Sequence, residues 1–287
     1  MQEIWTIQRI LSWSQEYFQK HLVPDPRLSA ELLLAGILKL KRLELYLQFE
    51  RILTPDELSR YRSYIQRRVK FEPVQYILGE QDFMGLTFSV SPEVLIPRPE
   101  TELLVETVLA EIKQRDPDSL KIVDIGTGSG SIAISLAHWY PRAEIIAVDN
   151  SEKAIQVAKE NARKIGTPNV SFSLLDVESD SLESLGTADI IVSNPPYISQ
   201  SHYENLHPQV RNYEPVQALL GGQDGLDFYR KLLLRLPEIL KQGGWIFMEI
   251  GFDQQNEIEK LLIRQKYKNI SFIKDYQNIN RIMKAQL

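Results

Sequence analysis

The four residues Asn194, Pro195, Pro196 and Tyr197 follow directly on the apolar run DIIVS, which is typical of a buried strand. An amide or exocyclic amine nitrogen has a delocalised lone pair, so a site that uses it as a nucleophile must hold it firmly. The side-chain carbonyl of Asn194 and the backbone carbonyl of Pro195 can accept its two hydrogens, while Tyr197 stacks on its plane. Proline has no backbone N–H, so the loop presents carbonyl groups. The tetrapeptide therefore predicts chemistry at a planar nitrogen.

A second stretch, VDIGTGSGSIA, predicts a ligand-binding loop between a strand and a helix. It contains Gly126, Thr127, Gly128, Ser129 and Gly130. Glycines allow the backbone to approach a ligand closely, and a helix N-terminus offers unpaired N–H groups. Counted from Gly128, the stretch also fits G-x-G-x-x-A, the dinucleotide fingerprint. The loop alone therefore does not separate a nicotinamide cofactor from S-adenosylmethionine.

Acidic residues end the next two predicted strands. Asp149, in IIAVDNS, can accept hydrogen bonds from both ribose hydroxyls of either cofactor. Its alternative role is to cap the following helix, although Ser151 offers that cap as well. Asp176, in LLDVES, can accept a hydrogen bond from an adenine amine, or else it is a helix cap or a loop acid.

The elements that must position these residues alternate between strands and helices from Arg98 onward. Apolar strands interleaved with amphipathic helices predict an α/β domain, in which helices cover both faces of a mostly parallel sheet. Ligands bind at the carboxyl ends of the strands in such sheets. The last two β-type runs, ISFIKDY and INRIMKAQ, have no helix between them, which predicts an antiparallel hairpin at one edge.

Two smaller regions precede this domain. Residues 1–72 carry apolar residues at helical spacing, and LTPDELSRYRSYIQRRVK begins with a capping box, so we expect a small all-α domain. Residues 73–97 contain short β-type runs punctuated by Gly79 and Gly85, which predict a β-hairpin connector. The α/β domain then covers residues 98–287.

Composition excludes several classes of function. The 287 residues carry a net charge of -5, whereas nucleic-acid binders are usually basic, so a large nucleic-acid footprint is disfavoured. The chain has no cysteine, which excludes disulfides and thiolate chemistry, and its four histidines are not at metal-ligand spacing. No metal is expected. No signal sequence and no apolar run of about 20 residues is present, so we expect a cytoplasmic protein without a membrane span.

Further stretches around these motifs make the sequence similar to a known family. VLIPRPETELLVE precedes the NPPY tetrapeptide, and YEPVQALLGGQDGLDFYRKLL and MEIG follow it. Together with GTGSG and Asp149, they closely resemble the HemK-type release factor glutamine methyltransferases, also called PrmC, over nearly the whole chain. NPPY alone is shared with adenine-N6 and other planar-nitrogen methyltransferases. The combination of IPRPETE with the later EP-to-DGL segment is much more specific.

The resemblance implies a class I S-adenosylmethionine-dependent methyltransferase fold, which is Rossmann-like with a mostly parallel seven-stranded sheet. It implies methyl transfer from S-adenosylmethionine, leaving S-adenosylhomocysteine, to the side-chain N5 of glutamine in the Gly-Gly-Gln tripeptide of class I peptide chain release factors. The helical domain, with its basic residues Arg60, Arg62, Arg67, Arg68 and Lys70, is then expected to dock the release factor. We expect a monomer that contacts neither nucleic acid nor membrane.

The resemblance also implies roles for individual residues. The cofactor is expected on the loop 126–130 and on Asp149, Asp176, Val177 and Asn194, and the substrate glutamine on the tetrapeptide 194–197. Arg98, Glu100 and Thr101 are expected at the mouth of the cofactor site, unless they only start a helix with Thr101 as its cap. Val177 replaces an aromatic residue of some relatives, which predicts weaker cofactor binding. Asn278 stands where the family often has glycine, which asparagine can replace at positive φ.

Three alternatives remain open. An adenine-N6 methyltransferase acting on DNA or RNA requires a basic cleft and usually a domain that holds a flipped base. A nicotinamide oxidoreductase leaves NPPY unexplained, and a non-catalytic adenosyl-binding scaffold predicts losses within it. The chain's own GGQ, residues 221–223, is interpreted as a family turn and not as a substrate.

Overall fold

The computed structural model describes residues 4–115 and 119–287, and these form two compact units. One unit consists of Met1–Gly79 and His207–Tyr213, and the other of Glu80–Leu206 and Glu214–Leu287. The break between the units follows Gly79, while the domain boundaries predicted at 72 and 97 stay predictions. Within the two described ranges, none of the helices combines the length and apolar content needed to cross a membrane.

The helices are α1 Ile7–Lys20, α2 Pro26–Leu38, α3 Arg42–Leu47, α4 Pro55–Arg68, α5 Val74–Leu78, α6 Pro99–Arg115, α7 Ser131–Trp139, α8 Glu152–Ile165, α9 Gln200–Glu204, α10 Pro208–Arg211, α11 Asp227–Arg235 and α12 Gln255–Arg264. The strands are β1 Glu80–Phe83, β2 Leu86–Ser89, β3 Leu120–Ile125, β4 Ala143–Asp149, β5 Val170–Leu174, β6 Ala188–Ser193, β7 Leu240–Glu249, β8 Lys268–Lys274 and β9 Asn280–Gln286. Short 3₁₀ turns occupy Glu183–Leu185, Val216–Ala218 and Leu236–Glu238.

The first unit is helical, and α4 begins where the sequence predicts. The capping box of α4 is confirmed: Thr54 Oγ1 accepts from Glu57 N at 3.2 Å, and Glu57 Oε2 accepts from Thr54 N at 2.8 Å. Its apolar face buries Tyr61 and Ile65 in the core of the unit. The β-type run predicted before Gly79 is wrong, because Val74–Leu78 forms α5, which Pro73 precedes and Gly79 ends at φ 81.

The basic residues at the end of α4 and just after it differ in their burial and in their partners. Arg68 is buried, and its guanidinium donates to Ser29 Oγ and to the carbonyl of Glu72. Arg67 forms a bidentate pair with the carboxylate of Glu72, at 2.8 and 2.6 Å. Two of the basic residues predicted to dock a partner therefore have structural roles, and Arg60, Arg62 and Lys70 remain exposed.

The second unit contains a seven-stranded sheet in the order β5-β4-β3-β6-β7-β9-β8. Strands β3 to β7 pair in parallel, and β9 runs antiparallel to both β7 and β8, which confirms the predicted hairpin at the edge. In the turn of this hairpin Asn278 has φ 63, a conformation that asparagine adopts more readily than most residues other than glycine. Two apolar layers, one on each face of the sheet, bury Ile122 and Val123 completely.

One buried asparagine forms hydrogen bonds between the β1-β2 hairpin and the helix layer on the sheet. Asn161 on α8 accepts from Ser89 N at 2.7 Å and donates to Ser89 O at 3.0 Å. Its second amide hydrogen goes to Ser129 O in the glycine-rich loop, at 2.9 Å. A single side chain thus links the hairpin to the glycine-rich loop.

We predict that Asn161→Ala lowers the free energy of unfolding by about 2 to 4 kcal/mol, because buried backbone groups lose their partners. Urea unfolding followed by circular dichroism measures this loss. Asn169→Ala is the matched control, since it removes a single hydrogen bond, to Ala143 O at 3.0 Å, and is expected to cost about 1 kcal/mol. Equal losses in the two variants would contradict the role given to Asn161.

Candidate active site

The candidate site lies where the strand order of the sheet reverses, between β3 and β6. The chain leaves β3 toward one edge of the sheet and continues from β6 toward the other. Both strands end side by side, with Ile125 paired to Ser193, and Ser193 Oγ donates to Ile125 O at 2.7 Å. A cleft of about 670 Å³ opens at these carboxyl ends, the expected place for a ligand in a parallel sheet.

The structure brings most of the predicted site residues together around this cleft. Those that line it are Arg98, Thr101, Gly126, Thr127, Gly128, Ser129, Asp149, Asp176, Val177, Asn194, Pro195 and Pro196. Three predicted site residues do not line the cleft: Glu100, Gly130 and Tyr197. Glu100 is exposed on the first turn of α6, because neighbouring helix residues point about 100° apart and Thr101 takes the inward direction.

The glycine-rich loop uses its glycines in two ways. Gly126 and Gly128 have positive φ, of 72° and 55°, and a Cβ on either would meet no protein atom within 4 Å. These positions leave the wall of the cleft free for a ligand. Gly130, at φ 81, is needed for packing, because a Cβ there would lie 2.7 Å from Ile134 Cδ1 and 3.1 Å from Ala158 Cβ.

Asp149 ends β4 with both carboxylate oxygens on backbone amides. Oδ2 accepts from Gly128 N and Oδ1 from Ser151 N, each at 2.9 Å. Burial raises the pKa of this carboxyl, and the backbone hydrogen bonds act in the opposite direction. The cap of α8 is Ser151, whose side chain accepts from Ala154 N at 3.2 Å. Asp149 therefore does not cap the helix, and its carboxylate is held rigidly at the wall of the cleft.

Asp176 and Val177 follow β5 on the same side of the cleft. Asp176 Oδ1 accepts from Glu178 N at 2.9 Å and Oδ2 from Ser179 Oγ at 3.0 Å, so the carboxylate also shapes its own turn. Val177 is buried and gives this end of the cleft an apolar surface. The contact of Asp176 with an adenine amine stays a prediction.

Asn194 belongs to a chain of hydrogen bonds that ends at a buried acid. Its Nδ2 donates to Thr101 Oγ1 at 3.0 Å, and Thr101 Oγ1 donates to Glu249 Oε2 at 2.6 Å. Tyr197 donates its hydroxyl to the other oxygen of Glu249 at 2.9 Å. Glu249 is 1% exposed, and burial raises the pKa of its carboxyl while the two hydroxyl hydrogen bonds lower it. Thr101 therefore serves this chain of hydrogen bonds and not as a helix cap.

Tyr197 is held at both its hydroxyl and its backbone. Burial and the adjacent Glu249 carboxylate raise the pKa of the phenol, so it stays protonated and donates. Its backbone carbonyl accepts from Gln254 Nε2 at 2.9 Å, and Gln254 Oε1 accepts from Gly251 N at 2.9 Å. The stacking of its ring on a substrate stays a prediction.

The chain's own GGQ segment supports the NPPY loop from behind. A Cβ on Gly221 would lie 2.6 Å from Pro196 O and 2.9 Å from Tyr197 Cα. Gly221 N donates to Ile198 O at 2.9 Å. The glycine is therefore required by close packing against the tetrapeptide, while Gln223 is exposed. This geometry agrees with the interpretation of GGQ as a turn.

Arg98 is positioned at the cleft by a second buried acid. Its Nη2 donates to Glu214 Oε1 at 2.5 Å, and Ile96 N donates to Glu214 Oε2 at 3.3 Å. Glu214 is 4% exposed, whereas the side chain of Arg98 keeps 31% of its surface accessible. The pair leaves part of the guanidinium facing the cleft. In the described part of the chain, no group of three or more His, Asp or Glu residues has the geometry of a metal site.

Comparisons with known proteins identify the family. Residues 9–79 match the PrmC N-terminal domain, and residues 116–272 match a methyltransferase domain. A release factor glutamine methyltransferase of Geobacter sulfurreducens is 42% identical over 287 residues, covering 99% of this chain and 98% of the relative. The chain belongs to the release factor glutamine methyltransferase family. A second member, from Koribacter versatilis, is 42% identical over 268 residues and covers 92% of this chain and 94% of its own.

A solved structure supports the fold alone. The catalytic domain of hMettl16, crystallised with the MAT2A 3'UTR hairpin 6, aligns with a TM-score of 0.56 over 83% of this chain and 84% of its own, at 16% identity. The class I methyltransferase fold predicted from the sequence is confirmed. Membership of this family makes the protein an S-adenosylmethionine-dependent methyltransferase, not a nicotinamide oxidoreductase, and does not favour the adenine alternative.

Sequence reasoning missed two functional candidates of this family member, Glu249 and Glu214. MEIG and YEPVQ contributed to the resemblance, yet the roles of their acids were not predicted. A usable signal was present at Glu249, because an acid that directly follows the apolar residues of a predicted strand lies at the carboxyl edge of the sheet. Its partners could not be found, since Thr101 is 148 residues away.

We predict that Asp149→Asn weakens binding of S-adenosylmethionine by about 10- to 100-fold, because the amide keeps only one acceptor oxygen for backbone and ribose together. Isothermal titration calorimetry measures the dissociation constant. Asp189→Asn is the control, since Asp189 also accepts from a backbone amide, Lys121 N at 2.9 Å, but lies at the opposite end of its strand. Equal dissociation constants for wild type and Asp149→Asn would exclude the role given to Asp149.

Proposed function

We propose that this chain transfers a methyl group from S-adenosylmethionine to the side-chain N5 of the glutamine in the Gly-Gly-Gln tripeptide of class I peptide chain release factors. The observation that carries the proposal is the orientation of Asn194. Its NH₂ group is used by Thr101, so its carbonyl oxygen is the end left to accept a hydrogen bond in the cleft. An acceptor at this place suits a substrate that presents N–H groups, as a primary amide does.

The tetrapeptide residues hold the glutamine amide in this proposal. Asn194 Oδ1 and the carbonyl of Pro195 accept its two N–H hydrogens, which fixes the rotation of the amide plane and the direction of its lone pair. Pro195 and Pro196 lack backbone N–H groups that would compete for these acceptors. No strong base is required, because the proton can leave after transfer. Placing the reactants in line accounts for most of the catalysis, several kcal/mol in comparable systems.

The cleft fits an adenosyl cofactor on the side of the glycine-rich loop. The wall is open above Gly126 and Gly128, and the carboxylate of Asp149 lines it in a fixed orientation suited to ribose hydroxyls. Val177 and the neighbouring Leu175 offer an apolar surface for an adenine ring. When bound, S-adenosylmethionine supplies the methyl group on a cationic sulfonium. Arg98 completes the same cleft with a positive charge, held by Glu214.

The helical unit is proposed to contribute to release factor docking. Arg60, Arg62 and Lys70 are its exposed basic residues near the end of α4, and they suit an acidic surface of a partner. This proposal makes the release factor the macromolecular partner of the chain. It places the protein in the cytoplasm as a monomer, without direct contact to nucleic acid.

Peptide mass spectrometry tests this function directly. A class I release factor is incubated with the protein and S-adenosylmethionine, beside a copy in which Gly-Gly-Gln is changed to Gly-Gly-Glu. We expect one methyl group on the glutamine and none on the changed copy, because a carboxylate offers no N–H to the two acceptors. Asn194→Ala serves as the control enzyme and is expected to lose most of the turnover while it still binds the cofactor. Absence of the methyl group from the unchanged release factor, with folded wild-type protein, would refute the proposal.

A further inference from the structure

An asparagine side chain has two ends of nearly equal size, and only one of them suits the proposed substrate. The carbonyl end accepts an N–H hydrogen, whereas the NH₂ end would face the hydrogens of a substrate amide and repel them. Rotation of the amide by 180° exchanges the two ends without changing the shape of the side chain. The site of this enzyme therefore needs a feature that selects one orientation of Asn194.

In the chain of hydrogen bonds behind Asn194, each donor lies on the side of Asn194 and each acceptor on the side of Glu249. The hydroxyl of Thr101 donates its hydrogen to Glu249 Oε2, 2.6 Å away, which is the only direction open to this hydrogen bond when the carboxylate is ionised. A hydroxyl has only one hydrogen, so Thr101 Oγ1 can only accept from Asn194, 3.0 Å away. The second oxygen of the carboxylate accepts from the hydroxyl of Tyr197 at 2.9 Å. Rotation of the carboxylate would therefore break two hydrogen bonds.

We propose that Thr101 and Glu249 are positioning residues that hold the carbonyl end of the Asn194 amide toward the substrate. This inference rests on the proposed function, because it concerns the same site. It adds a specificity mechanism: the orientation of Asn194 favours substrates that donate N–H and rejects groups that only accept. Glu249 acts through Thr101 without touching the substrate, from a place that is 1% exposed.

Several elements act on the protonation of Glu249. Burial raises the pKa of its carboxyl most, and the negative charge of Glu100 acts in the same direction. The hydrogen bonds from Thr101 on α6 and from Tyr197 in the tetrapeptide loop, and the positive charge of Arg281 on β9, favour the ionised acid. The backbone carbonyl of Glu249 accepts from the buried hydroxyl of Tyr229 at 2.6 Å, which fixes the end of β7 independently of the carboxylate.

The first test removes the middle of the chain of hydrogen bonds. Thr101→Val keeps the size of the side chain without the hydroxyl, and Thr101→Ser keeps the hydroxyl. We expect Thr101→Val to lower kcat on the release factor by about tenfold or more, since Asn194 loses its fixed orientation. The dissociation constant for S-adenosylhomocysteine should change less than about threefold, and Thr101→Ser should restore kcat to within about threefold of wild type.

The second test removes the fixed direction of the hydrogen bonds and keeps the shape of the side chain at position 249. In Glu249→Gln the side chain has a donor end and an acceptor end, so either can face Thr101 and both orientations of Asn194 become possible. We expect kcat to fall by about three- to tenfold. The double variant Thr101→Val, Glu249→Gln should be no slower than the slower single variant, because both changes act through the same amide. Losses that multiply would indicate separate structural effects and contradict the inference.

Tyr229→Phe is the matched control for damage at this residue. It removes a buried hydrogen bond to Glu249 but leaves the carboxylate, Thr101 and Asn194 intact. We expect a lower free energy of unfolding and a kcat within about twofold of wild type. A loss of kcat equal to that of Glu249→Gln would show that any disturbance of the end of β7 slows the enzyme, and would overturn the inference.

A spectroscopic measurement separates this inference from the proposed function. The side-chain NH₂ signals of Asn194 are assigned in ¹⁵N–¹H spectra by their loss in Asn194→Asp. In wild type and Thr101→Ser we expect two resolved signals with slow hydrogen exchange, and in Thr101→Val faster exchange. Unchanged signals and unchanged kcat in Thr101→Val would refute the inference on Asn194. The proposed function would still hold if the wild type methylates the release factor. If wild type methylates no release factor, the function fails and the spectra still decide the orientation of Asn194.

Discussion

The arrangement of the site depends on the hydrogen bonds made by the buried carboxylate of Glu249. A buried charge without partners costs several kcal/mol, so its neighbours must supply hydrogen bonds that do not fluctuate. Those neighbours are Thr101 at the start of α6 and Tyr197 in the NPPY loop. One acid thereby joins the end of a central strand, a helix start and the catalytic loop, and Asn194 is oriented as a consequence.

The same principle recurs around the cleft, where strand ends and loops carry acids that are held by hydrogen bonds to nearby groups of the protein. Asp149 accepts from two backbone amides, and Glu214 holds Arg98. Backbone packing completes the rigidity, since Gly221 lies too close to Pro196 and Tyr197 to allow any side chain. A methyl transfer that relies on positioning requires such a preorganised wall, because a displacement of about 1 Å can cost about 100-fold in rate.

Local features were predictable from the sequence, and long-range pairings were not. The capping box at Thr54 and the edge hairpin follow from neighbours along the chain, while the positive φ of Asn278 was expected from the resemblance to the family. The run VQYIL before Gly79 was interpreted as β-type because it is short and mostly apolar, so its pattern fits a strand and a helix equally well, and Gly79 decides only how the helix ends. Arg68 and Glu249 carry a charge in any sequence reading, so their burial depends on partners that folding brings close.

The most direct test is a crystal structure of the protein with S-adenosylhomocysteine and a release factor that carries Gly-Gly-Gln. We predict that the glutamine side-chain nitrogen lies about 3 Å from both Asn194 Oδ1 and Pro195 O. Asn194 Nδ2 should remain on Thr101 in that complex. A glutamine whose side-chain oxygen, instead of its nitrogen, faces Asn194, or one that contacts neither acceptor, would contradict the account.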